Sequence, residues 1–497
     1  VSIRQLLCVA FLVLSACSEV RIEPTVDAST PADGGSTSTD GAAMSDAASD
    51  SGATDDAAVD AFVANDATPD SASDASADTG VDANVDSGTG TTLCPPTVAS
   101  PSPLCGSASS CDVVRDVTFT CSESGFIPTV AARGEGAIVG FTTNVGRFTR
   151  RAIAIAGDGS STSLTVPFDD GPGITVGHYG GTDYLAVNEV PGRGIVFTAA
   201  GGTLEDVSGD ADDFYQLQTK PMFTSDGRAW LIWGTGSSFS LSTRATSGVW
   251  SVERTVSTVW GRFGLDTEGT RVVYANWVNT DEGRQLVRHE VGSASSVLYA
   301  DESSLDDGSP IAVDLGSDAD LLAFRSGDIQ LMTSVTPYAI ANTAVAVPTG
   351  CPDLSWGPSG GGGDACIEPV ACTETGEGSF QNAYDLVGEG DTHYLVYVEQ
   401  HVDSDYSLTR RCGGPGCICV KTREARRDTA TLVVRTVGTA GTVVTTSPFG
   451  RFELGDSGDD VQLDAAFGAD GRLHIALFST PPDGLETTLR YVALATR

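Results

Sequence analysis

Positive charge is scarce in this chain. Of 497 residues, 28 are Lys or Arg against 66 Asp or Glu, a formal charge of −38 at neutral pH. A nucleic-acid footprint needs a basic face, and adhesion to anionic lipid needs a basic cluster, so the balance argues against both partners. Histidine is rarer still. His178, His289, His393, His401 and His474 are scattered, with no HExxH and no paired metal motif, so no metal centre is expected. Long apolar runs are also lacking. The run from Leu6 to Ala16, after Arg4, is too short to cross a bilayer and has the charge-then-hydrophobe order of an export signal. From about Glu23 to Thr92 bulky apolar residues are missing, and Asp, Ala, Ser, Thr, Gly and Val cannot bury enough surface to offset chain entropy. That stretch is expected to be a disordered stalk. Asp66, Asp70, Asp74, Asp78, Asp82 and Asp86 recur every four residues, but like charges at that spacing repel on a helix and no glycine-containing calcium loop accompanies them. A flexible coil of this length would hold a following domain on the order of 50 Å from its anchor.

The segment Leu14-Ser15-Ala16-Cys17 resembles the lipobox of bacterial lipoproteins. The resemblance implies a lipidated Cys17 at the mature N-terminus, with several acyl chains and stable membrane anchoring. Ser18, in place of the Asp that favours inner-membrane retention in such proteins, implies a cell-envelope location at the outer membrane. The membrane, reached through this lipid, is the first expected partner.

Beyond residue 93 one unit recurs. Turns with Gly and an acid or its equivalent precede apolar strands at Ile138, Tyr184, Trp230, Val272, Leu321, Tyr394 and Leu473. The first five are about 40 to 52 residues apart, the scale of a four-stranded propeller blade. Strands such as Arg271-Val272-Val273-Tyr274-Ala275-Asn276-Trp277-Val278 are apolar on both faces, as strands between neighbouring blades must be. The expected fold is all-β: a seven-bladed β-propeller of four-stranded blades with cysteine-rich insertions, preceded by the stalk. The last two spacings are too long by roughly 30 residues each against that blade length, which places insertions at 348–379 and 403–428, side by side on one face. Blade seven has strands at 461–467, 473–478 and 487–494 and lacks a fourth. Asp116 to Thr120 has strand composition and would supply it, closing the ring. The divisions are therefore 1–16 signal peptide, 17–93 lipidated stalk, 94–122 cysteine-rich segment with the ring-closing strand, and 123–497 propeller.

Cys8 leaves with the signal and Cys17 carries lipid, so ten cysteines remain for disulfides in an exported protein. Cys94, Cys105, Cys111 and Cys121 precede blade one, Cys351, Cys366 and Cys372 lie in the first insertion, and Cys412, Cys417 and Cys419 in the second. With three in each insertion, full pairing among the six requires at least one bridge between them. Zinc at Cys412-x4-Cys417-x-Cys419 is disfavoured because the spacing is not a paired Cys-x2-Cys.

Candidate chemistry is sparse. Gly357-Pro358-Ser359-Gly360-Gly361 matches G-x-S-x-G, yet it sits in a glycine run with no helix pattern after it. Gly455-Asp456-Ser457-Gly458 superficially resembles a trypsin-like nucleophile motif but continues as Asp459-Asp460. No cofactor is predicted, and calcium is the one ion the acid clusters at 210–213, 301–307 and 456–464 could take. Arg410, Arg411, Lys421, Arg423, Arg426 and Arg427 form a basic island within an acidic domain, for salt bridges or for an anionic partner. The segment Ala469-Asp470-Gly471-Arg472-Leu473-His474-Ile475-Ala476 resembles repeat strands of sialidase-like propellers, but the arginine triad and Tyr/Glu pair of those enzymes have no matching positions. The expectation is a membrane-anchored binding or scaffolding module for a protein or polysaccharide. Its alternatives are a glycosidase-like enzyme using Asp314, Asp385 or Asp464 at the channel mouth and a structural subunit of an envelope assembly.

Overall fold

The computed structural model describes residues 96–98, 111–121 and, apart from connecting loops and the segment 341–369, residues 124–496. The signal, Cys17, the stalk, Cys94, Cys105, Cys351 and Cys366 lie outside the described residues, as do the side chains of Cys111, Cys121, Cys372, Cys412, Cys417 and Cys419.

Seven antiparallel sheets follow one another along the chain, and neighbouring blades touch all the way round, the seventh against the first. This is a seven-bladed β-propeller. Blade four is typical, with an inner strand Phe263–Glu268, a middle strand Arg271–Thr280, a third strand Gly283–Glu290 and an outer strand Ser296–Asp301. The turn between its first two strands needs a left-handed residue and has Gly269 at φ 59°.

The core is divided among the seams. Seven apolar clusters exist, and each joins two adjacent blades. Successive strand residues point to opposite faces, so a middle strand must be apolar on both. Along blade four, Val272 and Tyr274 pack toward blade three while Val273 and Ala275 pack toward blade five. In blade five, Leu321 and Ala323 face blade six, and Leu322 and Phe324 face blade four.

Blade seven takes its fourth strand from the beginning of the domain. Cys111–Cys121 pairs with Thr487–Thr496, Val117 opposite Tyr491 and Phe119 opposite Leu489. Val117 and Phe119 are fully buried, each worth about 1.5–3 kcal/mol. Arg490 adds a two-pronged bond to Asp116, 2.8 Å from Oδ1 and 2.6 Å from Oδ2. A fifth strand, Pro96–Val98, lies outside this one.

The insertions differ from a loop cap. The second continues the two strands that flank it: Thr392–Gly413 and Gly416–Ala440 stay paired to the tip, with one register shift at Asp405/Tyr406, and Cys412 faces Cys417 there. The end of the first insertion joins as the start of blade six's inner strand, Val370–Glu389, with Cys372 opposite Tyr406. The end of the first insertion, from residue 370, thus meets the second in one three-stranded arm. It extends roughly 40 Å beyond the blade at about 3.4 Å per residue. Cysteine, glycine and arginine content suggests a loop, but the runs Cys417 to Thr422 and Asp405 to Thr409 lie on two strands that pair with one another along the arm.

Candidate functional site

The inner strands line a central cavity of about 690 Å³. Each inner strand is paired on one edge by its middle strand, and its other edge turns toward the next blade with backbone N–H groups that need acceptors. Blades four to seven supply these acceptors from one position, the aspartate of an apolar-Asp doublet: Leu265-Asp266, Val313-Asp314, Tyr384-Asp385 and Leu463-Asp464. Asp266 Oδ2 accepts from the Leu315 N–H of blade five at 2.8 Å. Asp314 accepts from Gly388 of blade six. Asp385 Oδ2 accepts from Ala465 of blade seven at 2.9 Å, and Asp464 Oδ2 from Val130 of blade one at 2.5 Å. Gly388 permits the approach, since a Cβ there would come within 2.7 Å of Asp314 Oδ2.

Blade three breaks the pattern. Its inner strand is split into Gln216–Leu217 and Met222–Phe223, and Leu217 faces Trp233 while Met222 faces Trp230. Gln218 to Pro221 therefore oppose only Leu231 and Ile232, a bulge that redirects a side chain. Thr219 Oγ1 accepts from the Ile232 N–H at 3.0 Å in place of a ladder carbonyl, and Pro221 has no N–H to leave unpaired. The bulge sends Lys220 across the channel to blade seven. Its Nζ lies 3.0 Å from Asp464 Oδ1, donates to the Ala465 carbonyl at 2.5 Å, and stands 3.9 Å from Asp385 Oδ2.

Four carboxyls and one ammonium share this space, and burial disfavours charge on Asp266, Asp314 and Asp385. Burial pushes Asp385 up to about 7, with Lys220 opposing the rise and Asp464 adding to it. Asp266 is held well above the usual carboxylate range by burial and by Asp314. Asp314 is raised by burial, against the pull of His393, whose Nδ1 is 2.5 Å from Asp314 Oδ2. Burial lowers Lys220, but Asp464 and Asp385 outweigh it and hold the ammonium above its ordinary value.

Asp314, Asp385 and Asp464 are thus brought to one channel, each holding the next blade. Sequence reasoning missed Asp266 and Lys220. The repeated doublet marks Asp266, and Lys220 is one of two lysines in the chain, placed beside a proline where an inner strand should run. His393 and His474 are buried in middle strands, His474 Nδ1 2.7 Å from the Tyr491 hydroxyl. His178 faces Asp183 at 2.7 Å and is largely covered, so it does not project outward. The basic island lies on the arm strands, Tyr406 opposite Arg423 and Ser404 opposite Arg426. Its side chains are outside the described residues. The acid cluster at 210–213, residues 302–307 of the cluster at 301–307 and residues 457–460 of the cluster at 456–464 are also outside them, while Asp464 of the last is the partner of Lys220 in the channel. Among the described residues no three His, Cys, Asp or Glu are placed to hold a metal ion.

No protein-family model and no curated protein matches the chain. Among solved structures, a neuraminidase-like protein from A/bat/Guatemala/164/2009 is 11% identical, covering 76% of this chain and 89% of its own, at a TM-score of 0.38. A six-bladed fucose-recognising lectin of Aleuria aurantia is 11% identical over 61% of this chain and 95% of its own, at 0.33. A mutant Trypanosoma rangeli sialidase displaying trans-sialidase activity is 10% identical over 74% and 54%, at 0.36. What these proteins recognise or cleave is not carried over to this chain.

Proposed function

We propose that this chain is a lipid-anchored envelope protein whose propeller is a binding or scaffolding module, tethered through Cys17 and the acidic stalk. One observation carries the binding reading: the four channel aspartates are engaged in holding blade to blade, and Lys220 occupies the space between Asp385 and Asp464. A substrate bond would have to sit where that ammonium sits. Chemistry in the channel would require breaking the strut that joins blades three and seven, whereas binding on the arm face leaves it intact.

A second reading, glycoside hydrolysis, is favoured by Asp385, whose carboxyl titrates near neutrality beside Asp464 as an acid and its partner would. Incubating the full chain with cell-surface polysaccharides and envelope proteins, and reading retention and product masses, separates the two. Retention without new products is expected. Products that disappear in Asp385→Asn would establish the enzyme reading and overturn the binding one.

A further inference from the structure

We infer that the outer edge of the arm strand at 416–428 is a docking site for an acidic polypeptide segment that adds to the sheet as an extended strand. The inference rests on the binding-module reading and names its partner class. Blade six's outer strand, Val443–Asp456, pairs with Gly416–Ala440 from Ala440 opposite Val443 back to Thr429 opposite Asp456. Residues 416–428 continue the strand past that point while remaining paired on their other side, from Gly413 opposite Gly416 to Val402 opposite Asp428. No described strand lies beyond them. Among the described residues their second edge is unpaired and offers a row of backbone donors and acceptors, the template that strand addition uses.

Exposed edges are ordinarily kept short or interrupted by proline. This strand runs for 25 residues and contains no proline. Its register shifts lie opposite Asp405 and Tyr406 and, further on, at Ala430/Thr431 and Val434/Arg435, which leaves 416–423 as a regular stretch. Charge selects the occupant. Lys421, Arg423, Arg426 and Arg427 outnumber Glu424 and Asp428 along the edge, and Arg410 and Arg411 occupy the neighbouring strand, in a chain whose formal charge is −38. Such an edge repels a basic strand and gives an apolar one no charge partner. An acidic strand gains both the ladder and charge complementarity, which steers encounter and fixes the choice of partner.

The test uses the full chain and a fluorescent ten-residue peptide of alternating Asp and Val, read by anisotropy. Controls are a Ser-Val peptide, the Asp-Val peptide N-methylated at alternate residues, and an acidic polysaccharide. The Asp-Val peptide is expected to bind at least tenfold more tightly than the Ser-Val peptide. Binding should fall at least tenfold with N-methylation, and likewise with Arg423→Glu/Arg426→Glu at an unchanged circular dichroism spectrum. Equal binding of the N-methylated peptide would reduce the site to an electrostatic patch and overturn the inference. Polysaccharide binding with no peptide binding would overturn the partner class while leaving the binding-module reading standing, and absence of both would remove the two together.

Discussion

Blades four to seven and blades one to three close the same ring by different means. In the first group a buried aspartate crosses each seam to a backbone N–H of the next blade, and the seam from blade seven to blade one is made the same way. In the second group no inner-strand aspartate plays this part among the described residues; Arg244 instead holds Glu205 with two bonds of 2.5 and 2.6 Å between blades two and three, Arg133 lies 3.2 Å from Asp183 between blades one and two, and hydroxyl contacts complete the seams. Tyr179 donates to the Ser225 carbonyl at 3.0 Å between blades two and three, and Thr267 donates to the Phe223 carbonyl at 2.8 Å between blades three and four. The aspartate half concentrates like charges in a poorly solvated channel, which costs stability unless a cation or protons offset them. Blade three supplies that cation, its bulge giving up two ladder positions to place Lys220 on Asp464. The acids and the bulge thus belong to one device, with the lysine on one side of the ring balancing carboxylates on the other.

The largest effect should come from Asp464→Ala, which leaves the Val130 N–H without its acceptor and takes from the Lys220 ammonium its nearest carboxylate. Removing one partner of a buried pair costs about 3–5 kcal/mol, measurable as a lowered urea midpoint. Wild-type protein should next show an unusual pH trend. The Asp385 carboxyl has an ordinary value of 3.8 when unfolded and about 7 when folded, so between these the folded chain binds more protons. Its contribution is full below the unfolded value and is lost as pH rises through about 7. The melting temperature should therefore rise on going from pH 8 to pH 5, and the rise should shrink in Asp385→Asn, what remains coming from Asp266 and Asp314, which burial also raises. The smallest effect belongs to the other half of the ring: Thr267→Val should cost about 1 kcal/mol, the worth of one ordinary hydrogen bond. A loss there as large as that of Asp464→Ala would erase the distinction between the halves.

Much of the ring is legible in the residues, for a physical reason. Packing on both faces forces each middle strand to be apolar at most positions, so Val272 to Val278 and Leu321 to Phe324 announce themselves. The expected strand at 461–467 matches Val461–Phe467, and the strand expected at Asp116 to Thr120 lies within Cys111–Cys121. The candidate site was half legible. Asp314, Asp385 and Asp464 stand out as acids on inner strands, but their engagement by backbone N–H groups of the next blade depends on register across a seam, which no single blade encodes. Lys220 was hidden because Gln218 to Pro221 read as a poor strand, which is what a bulge is. The arm escaped notice because its cysteines and glycines mask a strand pattern set by pairing with distant residues.

The most direct test of the strut is a double-mutant cycle on Lys220 and Asp464, with Lys220→Met, Asp464→Asn and the double variant unfolded in urea at pH 7.5. A coupled buried pair should give an interaction energy of about 2 kcal/mol or more, with the double variant losing clearly less than the two single losses combined. Losses that add to within about 0.5 kcal/mol would show that the two side chains act independently, and would contradict the channel strut.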